Sequence, residues 1–200
     1  MYADCSVELA PDDDALEIPW VSPDGAQRYY DLKRRPELLL EVSEAHDNRE
    51  LAEFLVTVNS GVSLLETAKC DTWITNELGD EEQIFGSAWK FASYIDLLFS
   101  QPQPRFRFED HEAFAERATK LLQRAPEISA AAEFIIRRCY YHRDEEPEES
   151  DSGFCFTFYL SGYGDDGNEA RRRWNVGLKL VENALVQLSA QQRREHQQQL

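Results

Sequence analysis

At 200 residues, 42% of them hydrophobic and 12% aromatic, the chain is long enough to bury one core without disulfide or metal staples. Its 38 acidic and 21 basic residues give a formal net charge of −17, which repels phosphate backbones and anionic lipid and excludes nucleic acid and membrane surfaces as natural partners. A basic protein surface is drawn in by the same field.

The start, MYADCSVELAPDDD, lacks the basic and apolar regions of an export signal, and no segment approaches the ~20 apolar residues of a membrane span. Cys5, Cys70, Cys139 and Cys155 form no C-x-x-C pair, and no N-x-[ST] sequon occurs. Reduced thiols in a cytoplasmic protein are expected.

Residues 1–15 are acidic and read as a loose arm. Next, EIPWV, the turn Pro23-Asp24-Gly25 and AQRYYDL read as a short hairpin, because proline presets φ and glycine accepts positive φ. Pro36 suits a first helical position, and the spacing after it predicts helix over 36–59, broken around His46–Asn48. In the second half Leu51, Phe54, Leu55 and Val58 share one face, with Asn48 as cap and Gly61 as stop.

Residues 64–76, rich in Thr, Trp and Ile, read as a strand. The run 84–99 fits two periods: Phe85, Trp89, Phe91, Ile95, Leu97 and Phe99 fall on odd positions, while Ile84, Ala88, Phe91, Ala92, Ile95 and Phe99 suit a helix. Gly86, the aromatic enrichment and the acidic turn ELGDEEQ before it favour a strand. Pro102 and Pro104 then interrupt, and 109–125 carries helical spacing through Phe114, Ala118, Leu121 and Leu122 before Pro126.

AAEFIIRRCYYH and GFCFTFYLSG flank the charged, proline-broken turn RDEEPEESDS, the clearest hairpin in the chain. Centring it near Pro147 puts Phe134 opposite Leu160, Ile136 opposite Phe158, Tyr140 opposite Phe154 and Cys139 opposite Cys155. The even-numbered face is then an apolar ladder broken only by Arg138, and is expected to be buried. The odd face, with Ile135, Arg137, Cys139, Tyr141, Cys155, Thr157, Tyr159 and Ser161, is amphipathic. The last helix opens with Asp166 and Glu169 as a capping box and lays Trp174, Leu178, Val181, Leu185 and Leu188 on the sheet, after which the polar tail 191–200 is expected to fray.

Together these elements predict a two-layer α+β domain over 16–190, an antiparallel sheet of two or three hairpins with three to four helices on one face. Helix and hairpin occur twice, over 36–99 and 109–163, a pattern that an internal duplication and the chance recurrence of a common unit would both leave. The order helix, two strands, helix, two strands, helix and the acidity resemble those of small acidic secretion chaperones.

Gly162, Gly164 and Gly167 in LSGYGDDGNEARRRW spell G-x-G-x-x-G. A dinucleotide fingerprint needs a parallel strand before it, an anion-accepting helix N-terminus and a further parallel strand after it. Here an antiparallel hairpin precedes, Asp165 and Asp166 stand where an anion would sit, and only one helix follows. The stretch reads as a strand-to-helix turn, and no cofactor is expected.

His111-Glu112 begins an H-E-x-x-H motif, but Ala115 replaces the second imidazole. Cys139 and His142, three apart on a strand, point to opposite faces. The acidic run Asp144–Asp151 lacks the frame of a calcium loop. No metal site is expected. The facing pair Cys139 and Cys155 reads as two reduced thiols, with a cross-strand disulfide or redox pair as the alternative.

The function expected is that of a non-enzymatic protein-interaction module, of immunity or chaperone type, whose partner is basic. Arg137, Tyr141, Tyr159 and Tyr163 are the candidate partner-binding residues, because rigid rings and forked cations give contact area for little lost freedom. The same face could instead be covered by the N-terminal hairpin or by a second copy in a homodimer. The alternative function is a small-ligand binder or enzyme with a pocket between helices and sheet, drawing on His142, Cys139 or buried carboxylates.

Overall fold

A computed structural model describes residues 1–79, 82, 85–143 and 149–198. Its six strands, β1 (Tyr2–Glu8), β2 (Leu16–Ile18), β3 (Leu65–Thr75), β4 (Trp89–Phe99), β5 (Ala130–His142) and β6 (Ser150–Gly164), form one sheet in the order β1-β5-β6-β4-β3. β1 runs beside Ala131–Arg137 of β5 and β2 beside Cys139–Tyr141, so the two short strands share one edge. Both are parallel to β5. The sheet is therefore mixed, not antiparallel as expected, because an edge pairing across more than 120 residues leaves no hairpin signal.

β1 occupies the stretch expected to be a loose arm. Acidity masked a period-two pattern in which Ala3, Cys5 and Val7 alternate with Tyr2, Asp4, Ser6 and Glu8. A helix is tied to β1 by two side chains: Gln123 Nε2 donates to the Ala3 carbonyl (3.0 Å) and Thr119 Oγ1 to the Asp4 carbonyl (3.4 Å). The expected hairpin over 18–32 is reduced to its turn, with Gly25 at φ 73° and one bridge between Val21 and Arg28, since β2 pairs with β5 instead.

A 3-10 turn, Pro36–Glu41, precedes five helices: α1 (Ser43–Asp47), α2 (Arg49–Val58), α3 (Pro102–Arg105), α4 (Phe108–Leu122) and α5 (Gly167–Gln198). The break between α1 and α2 falls at Asn48, whose amide donates to the Glu44 carbonyl and to Thr72 Oγ1 rather than capping α2. The strand expected over 84–99 forms as β4; Ile84 lies outside the described residues, as do Asp144–Glu148 of the acidic turn. β4 satisfied both periods because both of its faces are covered: Phe91, Ile95 and Phe99 are buried on one side, Ala92 and Leu98 on the other.

Helices α2, α4 and α5 lie on one face of the sheet. Leu51, Phe54, Phe114, Ala118, Trp174 and Leu178 meet Phe91, Ile95, Phe134, Ile136, Phe156 and Phe158 in a continuous core. The even face of the β5–β6 hairpin is thus buried as its pattern required. Its register lies two residues from the expected one, with Phe134 opposite Phe158, Ile136 opposite Phe156 and Cys139 opposite Gly153. A shift of two preserves the faces. Packing sets it: a Cβ at Gly153 would sit 2.6 Å from the Arg105 carbonyl and 3.0 Å from the Tyr141 ring, so only glycine fits under α3.

At the start of α5 the Glu169 amide donates to Asp166 Oδ1 and the Asp165 amide to Glu169 Oε2, both at 2.8 Å, a capping box shifted by one residue at its return arm. The helix runs on to Gln198 through the tail expected to fray from 191. Gln, Arg and Glu are good helix formers, and Arg193 Nε reaches the Ser189 carbonyl one turn back (3.2 Å). Among the described residues no helix is long and apolar enough to cross a membrane.

Candidate partner-binding face

The face of the sheet turned away from α2, α4 and α5 is built in rows, because paired strands put partnered residues side by side. One row reads Tyr2, Ala131, Ser161, Ala92, Trp73 across β1, β5, β6, β4 and β3. The next reads Asp4, Glu133, Tyr159, Tyr94, Asp71, and the third Ser6, Ile135, Thr157, Asp96, Lys69. On the other side of the first row stand Tyr163 of β6 and its partner Lys90 of β4.

Small residues in the first row between large ones on either side make a trench that crosses the strands. Ala131 and Ser161 floor it, Glu133 and Tyr159 wall one side, Lys90 and Tyr163 the other, and Tyr2 and Trp73 close the ends around ≈ 410 Å³. Ser6 Oγ donates to Glu133 Oε1 (2.9 Å), and the Tyr2 hydroxyl donates to Asp4 Oδ2 (3.3 Å). The Asp4 charge holds the Tyr2 phenol above its ordinary pKa. Lys90 is ion-paired with Glu82, so its charge does not offset the carboxylates of the opposite wall.

The face already binds cations of its own. Lys69 Nζ lies 5.3 Å from the Trp20 ring centroid and 5.6 Å from that of Tyr94, and the Arg137 guanidinium lies 6.0 Å from that of Tyr159. Arg137 also reaches Glu8 Oε2 at 2.6 Å. Between them Asp96 is buried, accepts a hydrogen bond from Thr157 Oγ1 (2.7 Å) and is pushed up to about 6 by burial.

The four candidate residues do not share one environment. Arg137 and Tyr159 are half-buried and stacked on this face, and Tyr163 lines the trench but is buried under Phe85, its ring 5.0 Å away. Tyr141 lies at the far end of the sheet, where β2 and the segment after it cover the strands. Its hydroxyl donates to the Phe154 carbonyl (2.7 Å), Arg105 stacks on its ring at 5.1 Å, and Ile18 and Trp20 pack over it with Leu98, Cys139 and Cys155. There Arg105 also pairs with the buried Glu66 (2.8 Å), which burial pushes above the usual carboxylate range.

Cys139 and Cys155 are free, fully buried and diagonal to each other rather than opposite, a consequence of the two-residue register shift. The neighbouring Cys139 thiol, and then burial, holds the Cys155 thiol well above its ordinary pKa and so in its unreactive form. The glycines of G-x-G-x-x-G serve packing. A Cβ at Gly162 would lie 2.2 Å from the Trp174 amide nitrogen, at Gly164 2.5 Å from that of Ala170, and at Gly167 2.6 Å from Ile74. Gly162 and Gly164 let α5 sit directly on the end of β6, and Gly167 makes room for Ile74 of β3.

His111 is enclosed by Phe99, Phe154 and Phe156, its Nδ1 donates to the Arg107 carbonyl (3.0 Å), and burial lowers its pKa. His142 Nε2 lies 3.5 Å from Glu17 Oε2. No group of three or more His, Cys, Asp or Glu among the described residues is placed to hold a metal ion. A second cleft of ≈ 270 Å³ between the N-terminal segment, α1 and β3 is lined by Arg28, Glu41, Glu44 and Cys70, whose thiol burial pushes up to about 12.

Compared with protein-family models, with curated proteins and with solved structures, the chain matches none. The trench residues Tyr2, Asp4, Trp73 and Glu133, and Tyr94 in the row beside it, were not among the sequence candidates. Two signals pointed to part of the trench: the alternation over 2–8, which places Tyr2 and Asp4 on one face, and the run Ala130-Ala131-Ala132, which places a small residue on the open face of a strand otherwise rich in large ones.

Proposed function

We propose that the chain is a protein-interaction module that binds a basic partner across the open face of its sheet. The observation that carries the reading is the contrast between faces. One is sealed by helices, whereas the other presents Tyr2, Trp73, Tyr94 and Tyr159 interleaved with Asp4, Asp71 and Glu133. Aromatic rings supply contact area, and carboxylates between them select for positive charge and speed its arrival. A net charge of −17 extends that attraction beyond contact distance.

The perturbed groups that a catalytic reading would need are committed elsewhere. Asp96 holds Thr157, Glu66 holds Arg105, and His111 sits in the aromatic core. The test is capture at low ionic strength, identification of the retained protein, and rebinding of that protein in purified form at rising salt. A basic partner whose affinity falls steeply with salt is expected. Retention of an acidic or neutral partner insensitive to salt, or of none at low ionic strength, would refute the proposal.

A further inference from the structure

We infer that the trench is the anchoring subsite of that face: it seats a lysine or arginine side chain from an extended basic segment of the partner. This rests on the proposed function and narrows it to one place. Three features converge there. The floor of Ala131 and Ser161 is low enough for a backbone to approach, because the β6 residues two positions to either side of Ser161 are Tyr159 and Tyr163 and both line the trench. The walls are aromatic, Tyr159 on one side and Tyr2 at the end, which is what a desolvating cation requires.

The third feature is charge. Asp4 and Glu133 are register partners on adjacent strands, and both line the trench. Both carboxylate charges act on the Tyr2 phenol at the β1 end, while Lys90 across the trench is engaged by Glu82. An ammonium or guanidinium entering there meets two carboxylates and two rings. The chain satisfies its own cations on the same face in the same manner, Lys69 against Trp20 and Tyr94, and Arg137 against Tyr159 and Glu8. The trench repeats that chemistry with no cation of its own aimed at Asp4 and Glu133 among the bonds of the described residues.

The test uses N-acetyl-pentalysine amide as probe, with the pentaglutamine peptide as the uncharged control, titrated calorimetrically into the full chain at low salt. Glu133→Gln is expected to weaken pentalysine at least tenfold and Tyr159→Leu several-fold, whereas Glu116→Gln, on the exposed side of α4, changes it less than twofold. Asp4→Asn, at an exposed carboxylate, repeats the test should Glu133→Gln lower the Tm. Equal weakening by all of these variants, or none by the trench variants, overturns the trench as the subsite while leaving a basic partner for the face intact. Equal binding of pentaglutamine and pentalysine overturns both.

Discussion

The two faces of the same five-stranded span are made from the same strands and follow opposite rules. On the helical side, Phe134, Ile136, Phe156, Phe158 and Leu160 present an unbroken apolar surface, and Trp174 closes it with its indole nitrogen donating to Ser93 Oγ (2.9 Å). On the open side polar and charged residues are interleaved with apolar ones, and the rings of Trp73, Tyr94 and Tyr159 are only half covered, whereas Tyr163 lies under Phe85 and β2, Trp20 and Tyr29 seal the other end. The helical face provides the folding free energy. The open face spends part of it, since burying Asp96 beside Thr157 disfavours its charged form.

That division sets an order of expected effects. Trp174→Ala, which empties the centre of the helical face, is expected to lose about 3–5 kcal/mol of stability by denaturant unfolding. Gly162→Ala is next, at about 1–3 kcal/mol, because the added methyl meets the Trp174 backbone rather than a flexible side chain. A loss that small in Trp174→Ala as well would mean that α5 is not seated as described.

Asp96→Asn acts in the other direction. The folded pKa of about 6 stands above the 3.8 of an unburied aspartate, so the folded state holds its proton longer than the unfolded chain does. Stability is therefore greatest below the unfolded value and declines as pH rises through about 4 to 6. The asparagine keeps an acceptor for Thr157 and removes that decline, so a gain of about 1–2 kcal/mol at pH 7 is expected, with a flatter profile between pH 4 and 6. An unchanged slope would show that Asp96 is solvated.

The helical face was legible in the sequence because a single period accounts for it. Leu51, Phe54, Leu55 and Val58 repeat at helical spacing, and Phe134 to Phe158 alternate across a hairpin whose faces survive a register error of two. The open face was only half legible. Tyr159 and Arg137 could be placed on it from alternation alone, but their neighbours Tyr2, Asp4 and Trp73 come from strands joined by distant pairings. Tyr141 and Tyr163 shared their alternation, yet Trp20 and Phe85, brought from elsewhere in the chain, decide their exposure. Local pattern fixes which way a side chain points; what arrives to cover it is a tertiary fact.

The claim that the open face is the binding face is tested most directly by chemical-shift mapping of the full chain with a bound lysine-rich peptide. The account predicts shifts concentrated at Tyr2, Asp4, Ala131, Glu133, Tyr159 and Ser161. Shifts concentrated instead on the outer surfaces of α4 and α5, with these amides unmoved, would contradict it.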